Sequence, residues 1–202
     1  MRTVAIIDAG GANLGSVRYA IERFGIEPRL VSEASGLEGA THVILPGVGA
    51  APVAMARLQA QGLIAALRQL RVPLLGICLG MQLLYTHSEE GNTCGLGLLP
   101  GAVRALASTA KQRIPHMGWN TLHPIAPSPL GAAITDGMAA YFVHSYAADV
   151  SSDTVATCMH SQVFAALVQR GNVCGAQFHP ERSASVGQQI IANFLNLTEE
   201  EG

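Results

Sequence analysis

The stretch Pro73-Leu-Leu-Gly-Ile-Cys78-Leu-Gly-Met-Gln82 decides the fold. Residues 73–77 form a short apolar run, the pattern of a strand buried on both faces. Residues 79–86 follow at once as a helix, so the chain turns from strand to helix at Cys78. The same alternation extends outward from this point. Residues 2–8 are a β-branched strand ending at Gly10-Gly11, and residues 14–24 carry apolar side chains at helical spacing, closed by Gly25. Strands follow at 28–31 and 42–45, then a helix over 51–70 with Pro52 near its start, where proline is tolerated. Strand alternating with helix argues for a parallel sheet covered on both faces.

After Gly91 the texture changes. Short β-like runs at 102–106, 119–124, 141–148, 154–159, 163–169 and 173–178 are expected as antiparallel strands joined to the same sheet. Residues 188–197 supply a last amphipathic helix, with Ile191, Phe194 and Leu195 inward. Nothing reads as a linker or repeat. The expectation is one α/β domain over residues 1–202, built on a central mixed, mostly parallel sheet flanked by helices. The acidic tail at 199–201 is expected to fray.

Composition narrows the function. Apolar residues make up 49% of the 202 positions and charged residues 13%, and Lys111 is the only lysine. So charge-poor a surface suits coverage by another protein. The net charge of -2 leaves no footprint for nucleic acid. The longest apolar stretch, 72–81, contains a proline and two glycines and is far short of a bilayer span. The start of the chain lacks the features of a signal peptide, so Cys78, Cys94, Cys158 and Cys174 read as free thiols in a cytoplasmic protein.

Gly76-Ile-Cys78-Leu-Gly80 is the strongest chemical signal. A residue at so sharp a turn is strained, and flanking glycines remove side chains that would clash. The turn aims the sulfur at a helix N-terminus, where a thiolate is favoured, and the Leu79 N–H would face a developing oxyanion. A small apolar cysteine packed in the core is the competing reading, and the pentapeptide alone does not separate the two. Gln177-Phe-His179-Pro-Glu181 adds a second signal. Residues two apart on an extended chain point the same way, about 6.5 Å along the strand. His179 and Glu181 then share a face, a base with its orienting acid, as a cysteine nucleophile needs. The third is Pro46-Gly47-Val48-Gly49, whose backbone N–H groups can approach an anion. As a nucleotide fingerprint it fails, because Pro52 stands where the third glycine belongs. His116, His144 and His160 offer no metal-ligand pattern, and no metal or cofactor is expected. Trp119, within Pro115-His-Met-Gly-Trp-Asn120, is either a core plug or an exposed contact.

Taken together, these motifs resemble the class I (triad) glutamine amidotransferases along essentially the whole chain. Within that group the sequence looks most like the glutaminase subunits of imidazole glycerol phosphate synthases. The likeness rests on Gly76 to Gln82, Pro46 to Gly49, Pro115 to Asn120, Tyr141-Phe-Val-His-Ser-Tyr146 and Gln177 to Ser183. It implies a triad of Cys78, His179 and Glu181, with an oxyanion hole from the N–H groups of Val48 or Gly49 and of Leu79. It implies glutamine held by Gly47, Gln82, Ser145 and Tyr146. It further implies a heterodimer with the (β/α)₈-barrel cyclase subunit of histidine biosynthesis, which takes ammonia through an internal tunnel. Asn13, Trp119, Tyr141 and Arg182 match positions at that interface. One departure is Ala9, where the family often carries tyrosine. A synthase serving another acceptor in the same class, or a docking subunit without activity, are the alternatives. Pro115 to Asn120 speaks against the first and the intact Cys78, His179 and Glu181 against the second.

Overall fold

Val4–Ile7, a run of apolar and β-branched residues, forms the innermost kind of strand, with all four side chains buried. In chain order β1 is Val4–Ile7, α1 Leu14–Glu22, β2 Arg29–Val31, β3 His42–Gly47, α2 Ala51–Ala60 and α3 Leu63–Arg68. Then come β4 Leu74–Cys78, α4 Leu79–Leu83, β5 Tyr85–Ser88, β6 Thr93–Cys94, β7 Leu99–Ala105, β8 His116–Thr121 and β9 His123–Pro124. The rest are β10 Ala139–His144, β11 Tyr146–Ala148, β12 Thr154–His160, β13 Gln162–Arg170, β14 Val173–Ala176 and α5 Ala184–Leu195. This computed structural model describes residues 2–9, 13–110 and 112–198.

The main sheet has eight strands in the order β2-β1-β3-β4-β14-β13-β12-β9. Pairing is parallel from β2 to β14 and antiparallel from there outward. Alternate residues of one strand feed opposite cores, because successive side chains point to opposite faces. Val4 and Ile6 meet α1 and α5 through Val17, Ile21, Ile190 and Phe194. Ala5 and Ile7 meet α2 and α3 through Leu58, Leu63 and Leu67. On the first face Phe142 packs edge-on to Phe164 and Phe178 at 5.8 and 5.7 Å. Such pairs add about 0.5–1.5 kcal/mol each beyond their buried area.

Three expectations need correction. The strands after Gly91 do not all join one sheet: β10 and β8 make a two-stranded ribbon, and β11-β7-β5-β6 a separate four-stranded sheet. Hydrophobic alternation specifies which face of a strand is buried, not which strand lies beside it. The helix expected over 79–86 stops at Leu83, and Tyr85–Ser88 is strand, because Tyr85 pairs with Leu99 of β7. The helix expected over 51–70 is two helices, broken where Gly62 adopts a left-handed φ of 67°. The Gly10-Gly11 turn and the 199–201 tail lie outside the described residues. No helix among the described residues is long and apolar enough to cross a membrane.

Candidate active site

Strands β3, β4 and β14 are adjacent and parallel, so their C-terminal ends open onto one crevice, where open α/β sheets bind ligands. Cys78 is the last residue of β4 and directly precedes α4. Its backbone is held at φ 54° and ψ -112°, a conformation costing on the order of 1–3 kcal/mol in a non-glycine residue. Close packing imposes it. A Cβ on Gly80 would stand 1.7 Å from the Leu45 carbonyl oxygen, and one on Gly76 2.7 Å from the backbone nitrogen of Met81. Glycine at both positions lets α4 lie directly on β3 and β4, which fixes where the sulfur points. The Cys78 thiol donates to the Val143 carbonyl at 3.5 Å, and Gln177 Nε2 donates to its sulfur at 3.9 Å.

His179 follows β14 in extended conformation, its N–H donating to the Tyr141 carbonyl at 2.9 Å. Its Nδ1 donates to Glu181 Oε1 at 2.8 Å, which turns Nε2 toward Cys78. The two side chains meet by a different route from the extended strand expected. Pro180–Arg182 is a 3₁₀ turn, and the turn folds the carboxylate back onto the ring. Ser183 Oγ clamps that turn, donating to the His179 carbonyl at 2.7 Å and accepting the Tyr141 N–H at 2.9 Å. Burial alone would pull the His179 imidazole down. Hydrogen bonds to Cys78 and Glu181, with their charges, outweigh it and raise the group to about 10.

A cleft of about 270 Å³ opens over these groups. Cys78, Leu79, Gln82, Val48, Gly49, Ser145, Tyr146 and His179 all line it. Leu79 is the first residue of α4, so its N–H has no partner within the helix. Gly49 reaches its place with a φ of 99°, which only glycine adopts without strain. Gly47 lies elsewhere: it pairs with Cys78 beneath the cleft, and a Cβ there would meet the Gly80 nitrogen at 2.8 Å. Gln82 spends both amide hydrogens internally, on the Tyr146 carbonyl at 2.7 Å and on Gln177 Oε1 at 3.0 Å. Only its Oε1 is left for the cleft.

Glu90 also lines the cleft and is a residue that sequence reasoning missed. It is eight residues beyond Gln82, with β5 between them, so no spacing rule points to it. Its Oε2 accepts the Ala51 N–H at 2.8 Å, which anchors the carboxylate at the start of α2. The four positions matched to an interface gather near His179 and Glu181. Asn13 Nδ2 donates to the same Glu181 oxygen that His179 uses. Trp119 is 56% exposed and packs edge-on to Tyr141, its register partner, at 6.0 Å. Arg182 is exposed on the turn itself. Among the described residues no group of three or more His, Cys, Asp or Glu side chains could hold a metal ion. Cys78, Cys94, Cys158 and Cys174 are all free thiols.

Known proteins resemble this chain over nearly its whole length. The family described as glutamine amidotransferase class-I matches residues 5–197. An imidazole glycerol phosphate synthase subunit HisH from Xanthomonas oryzae pv. oryzae is 62% identical over 198 residues, 98% of this chain and 99% of that protein. The HisH subunit of Xylella fastidiosa is 62% identical over 197 residues, 98% of each. A crystal structure of a glutamine amidotransferase superposes with a TM-score of 0.75 over 96% of this chain and 97% of its own, at 20% identity, and so speaks for the fold alone. The chain belongs to the class-I glutamine amidotransferases, among the imidazole glycerol phosphate synthase subunits HisH.

Proposed function

We propose that Cys78, His179 and Glu181 hydrolyse glutamine, and that the ammonia passes to a (β/α)₈-barrel cyclase partner. There it serves the formation of imidazole glycerol phosphate and AICAR in histidine biosynthesis, in the cytoplasm. The observation that carries the reading is the strained Cys78 facing His179 Nε2, with Glu181 fixing Nδ1. Cys78 Sγ adds to the side-chain carboxamide carbon while His179 holds the thiol proton. The oxyanion is met by the N–H groups of Leu79 and of Val48 or Gly49. His179 then gives the proton to departing ammonia, leaving a γ-glutamyl thioester on sulfur. Water, deprotonated by His179, cleaves that ester to glutamate and restores the thiol.

Gln82 Oε1 and the Glu90 carboxylate are acceptors suited to the α-ammonium of glutamine, and the Ser145-Tyr146 backbone to its carboxylate end. A cleft of about 270 Å³ suits one amino acid. For docking, Met117 and Trp119 present exposed apolar surface beside Tyr141, Asn13 and Arg182, close to the triad. The catalytic unit is one domain over residues 1–202. Replacing Cys78 by Ala in the complex with the cyclase should abolish glutamine-dependent synthesis and leave synthesis from added ammonium intact. Glutamine-dependent turnover persisting in that variant would overturn the mechanism.

A further inference from the structure

One histidine of the cleft wall, His144, is paired with a second, His116, behind it, and neither belongs to the triad. His116 on β8 and His144 on β10 are register partners, 3% and 6% exposed. His116 Nδ1 lies 2.9 Å from His144 Nε2, and His144 Nδ1 lies 2.8 Å from the Tyr146 carbonyl oxygen. At the far end His116 Nε2 lies 3.2 Å from Asn120 Nδ2.

The direction of every bond follows from the two ends. Asn120 Oδ1 accepts the Thr121 N–H at 2.8 Å, and Asn120 Nδ2 also donates to the Met159 carbonyl at 2.9 Å. The group facing His116 is therefore the amide NH₂, a donor, so His116 Nε2 accepts and its proton sits on Nδ1. That proton is donated to His144 Nε2, so the His144 proton sits on Nδ1. From the opposite end, the Tyr146 carbonyl only accepts, and it demands the same proton on His144 Nδ1. Both ends give one polarity, with each imidazole neutral. Burial favours that state, pushing His116 down to about 4 and His144 down to about 3.

The Tyr146 carbonyl then receives two donors, His144 Nδ1 and Gln82 Nε2. Ser145 between them is the corner at which the chain leaves the ribbon for the four-stranded sheet. We propose that His116 is a positioning residue for the glutamine site: it locks His144 in one tautomer, and that tautomer pins the Ser145-Tyr146 corner against Gln82. This deepens the proposed function and rests on it for the identity of the ligand.

Two measurements test it. Long-range nitrogen–proton correlation spectra of the histidine-labelled chain at neutral pH should show both rings neutral and protonated on Nδ1. A proton on Nε2 of either ring, or a charged ring, overturns the proposal. In the complex with the cyclase, His116→Phe keeps a flat ring against Phe142, stacked at 4.8 Å, and His160, stacked at 4.1 Å, but removes the donor. The KM for glutamine should rise about tenfold, the effect of one lost buried hydrogen bond, with kcat within about twofold. His116→Asn returns an N–H near the place of Nδ1 and should recover most of that loss. An unchanged KM, or equal loss in both variants, overturns the proposal. If the Phe variant does not fold, the spectra and the Asn variant decide. If the unaltered complex does not hydrolyse glutamine, the proposed function fails, while the spectra still judge the histidine pair.

Discussion

Replacing Gly80 by Ala would put a methyl group into the seam between α4 and β3. The new carbon would stand 1.7 Å from the Leu45 carbonyl oxygen and 2.8 Å from the Leu45 carbonyl carbon. Carbon and oxygen rest at about 3.3 Å or more, so the segments must part by about 1.5 Å. Both are backbone, and no rotamer change relieves the overlap. Overpacking of this kind costs about 3 kcal/mol or more, offset by about 1 kcal/mol of better helix propensity. The net destabilisation expected is about 2 kcal/mol or more, read from urea unfolding midpoints. Function should suffer further, because α4 carries Leu79 and hinges at Cys78. A displacement of about 1 Å in a reacting group costs about 100-fold, so glutamine-dependent kcat/KM should fall by at least that factor. The complex should still use added ammonium. Gly15→Ala is the matched control: it lies in α1 with nothing within 4 Å of an added Cβ, so stability should hold or rise slightly. A Gly80→Ala protein with an unchanged midpoint and glutamine turnover within about threefold would refute the packing argument.

Two further outcomes follow from the buried histidines and the cleft-facing carboxylate. His116 and His144 sit at about 4 and about 3 when folded, against about 6.5 unfolded, so the unfolded chain binds the extra protons. Their stability is complete above about pH 6.5 and is lost as pH falls, on the order of a few kcal/mol for the pair at pH 4.5; equal urea midpoints at pH 7 and 4.5 would contradict this. Glu90→Gln removes the carboxylate that lines the cleft and should raise the KM for glutamine about tenfold or more at similar kcat, and an unchanged KM would exclude Glu90 from substrate binding.

What the sequence showed of this site follows from how local each requirement is. The elbow at Cys78 was legible because its demands fall within five residues: glycine where α4 crosses β4, glycine where it crosses β3, and a residue between them at a strained φ. His179 and Glu181 were legible as a pair, but the 3₁₀ turn that joins them depends on Ser183 and on α5 packed against Pro180. Glu90 and the contact of Asn13 with Glu181 were not legible, since each bridges elements far apart in the chain. Neither was the division of the later strands among three sheets, because alternation names a buried face and no neighbour.

Pro115 to Asn120 shows how far a local pattern reaches once its neighbour is known. The stretch offered two readings, a core plug or an exposed contact, and β8 takes both. Its residues alternate from His116, buried, through Met117, 64% exposed, to Trp119, exposed, with Asn120 half-buried. One face of the ribbon thus carries the apolar surface beside Tyr141, and the other the hydrogen bonds that reach Tyr146. A two-stranded ribbon is marginal by itself, so β8 and β10 hold their place through the stacking of His116 on Phe142 and the edge-on packing of Phe142 against Phe164 of the sheet beneath. Trp119 and His116 thus stand three residues apart on one strand and on opposite faces of the ribbon, the first at the exposed apolar surface and the second at the buried hydrogen bonds.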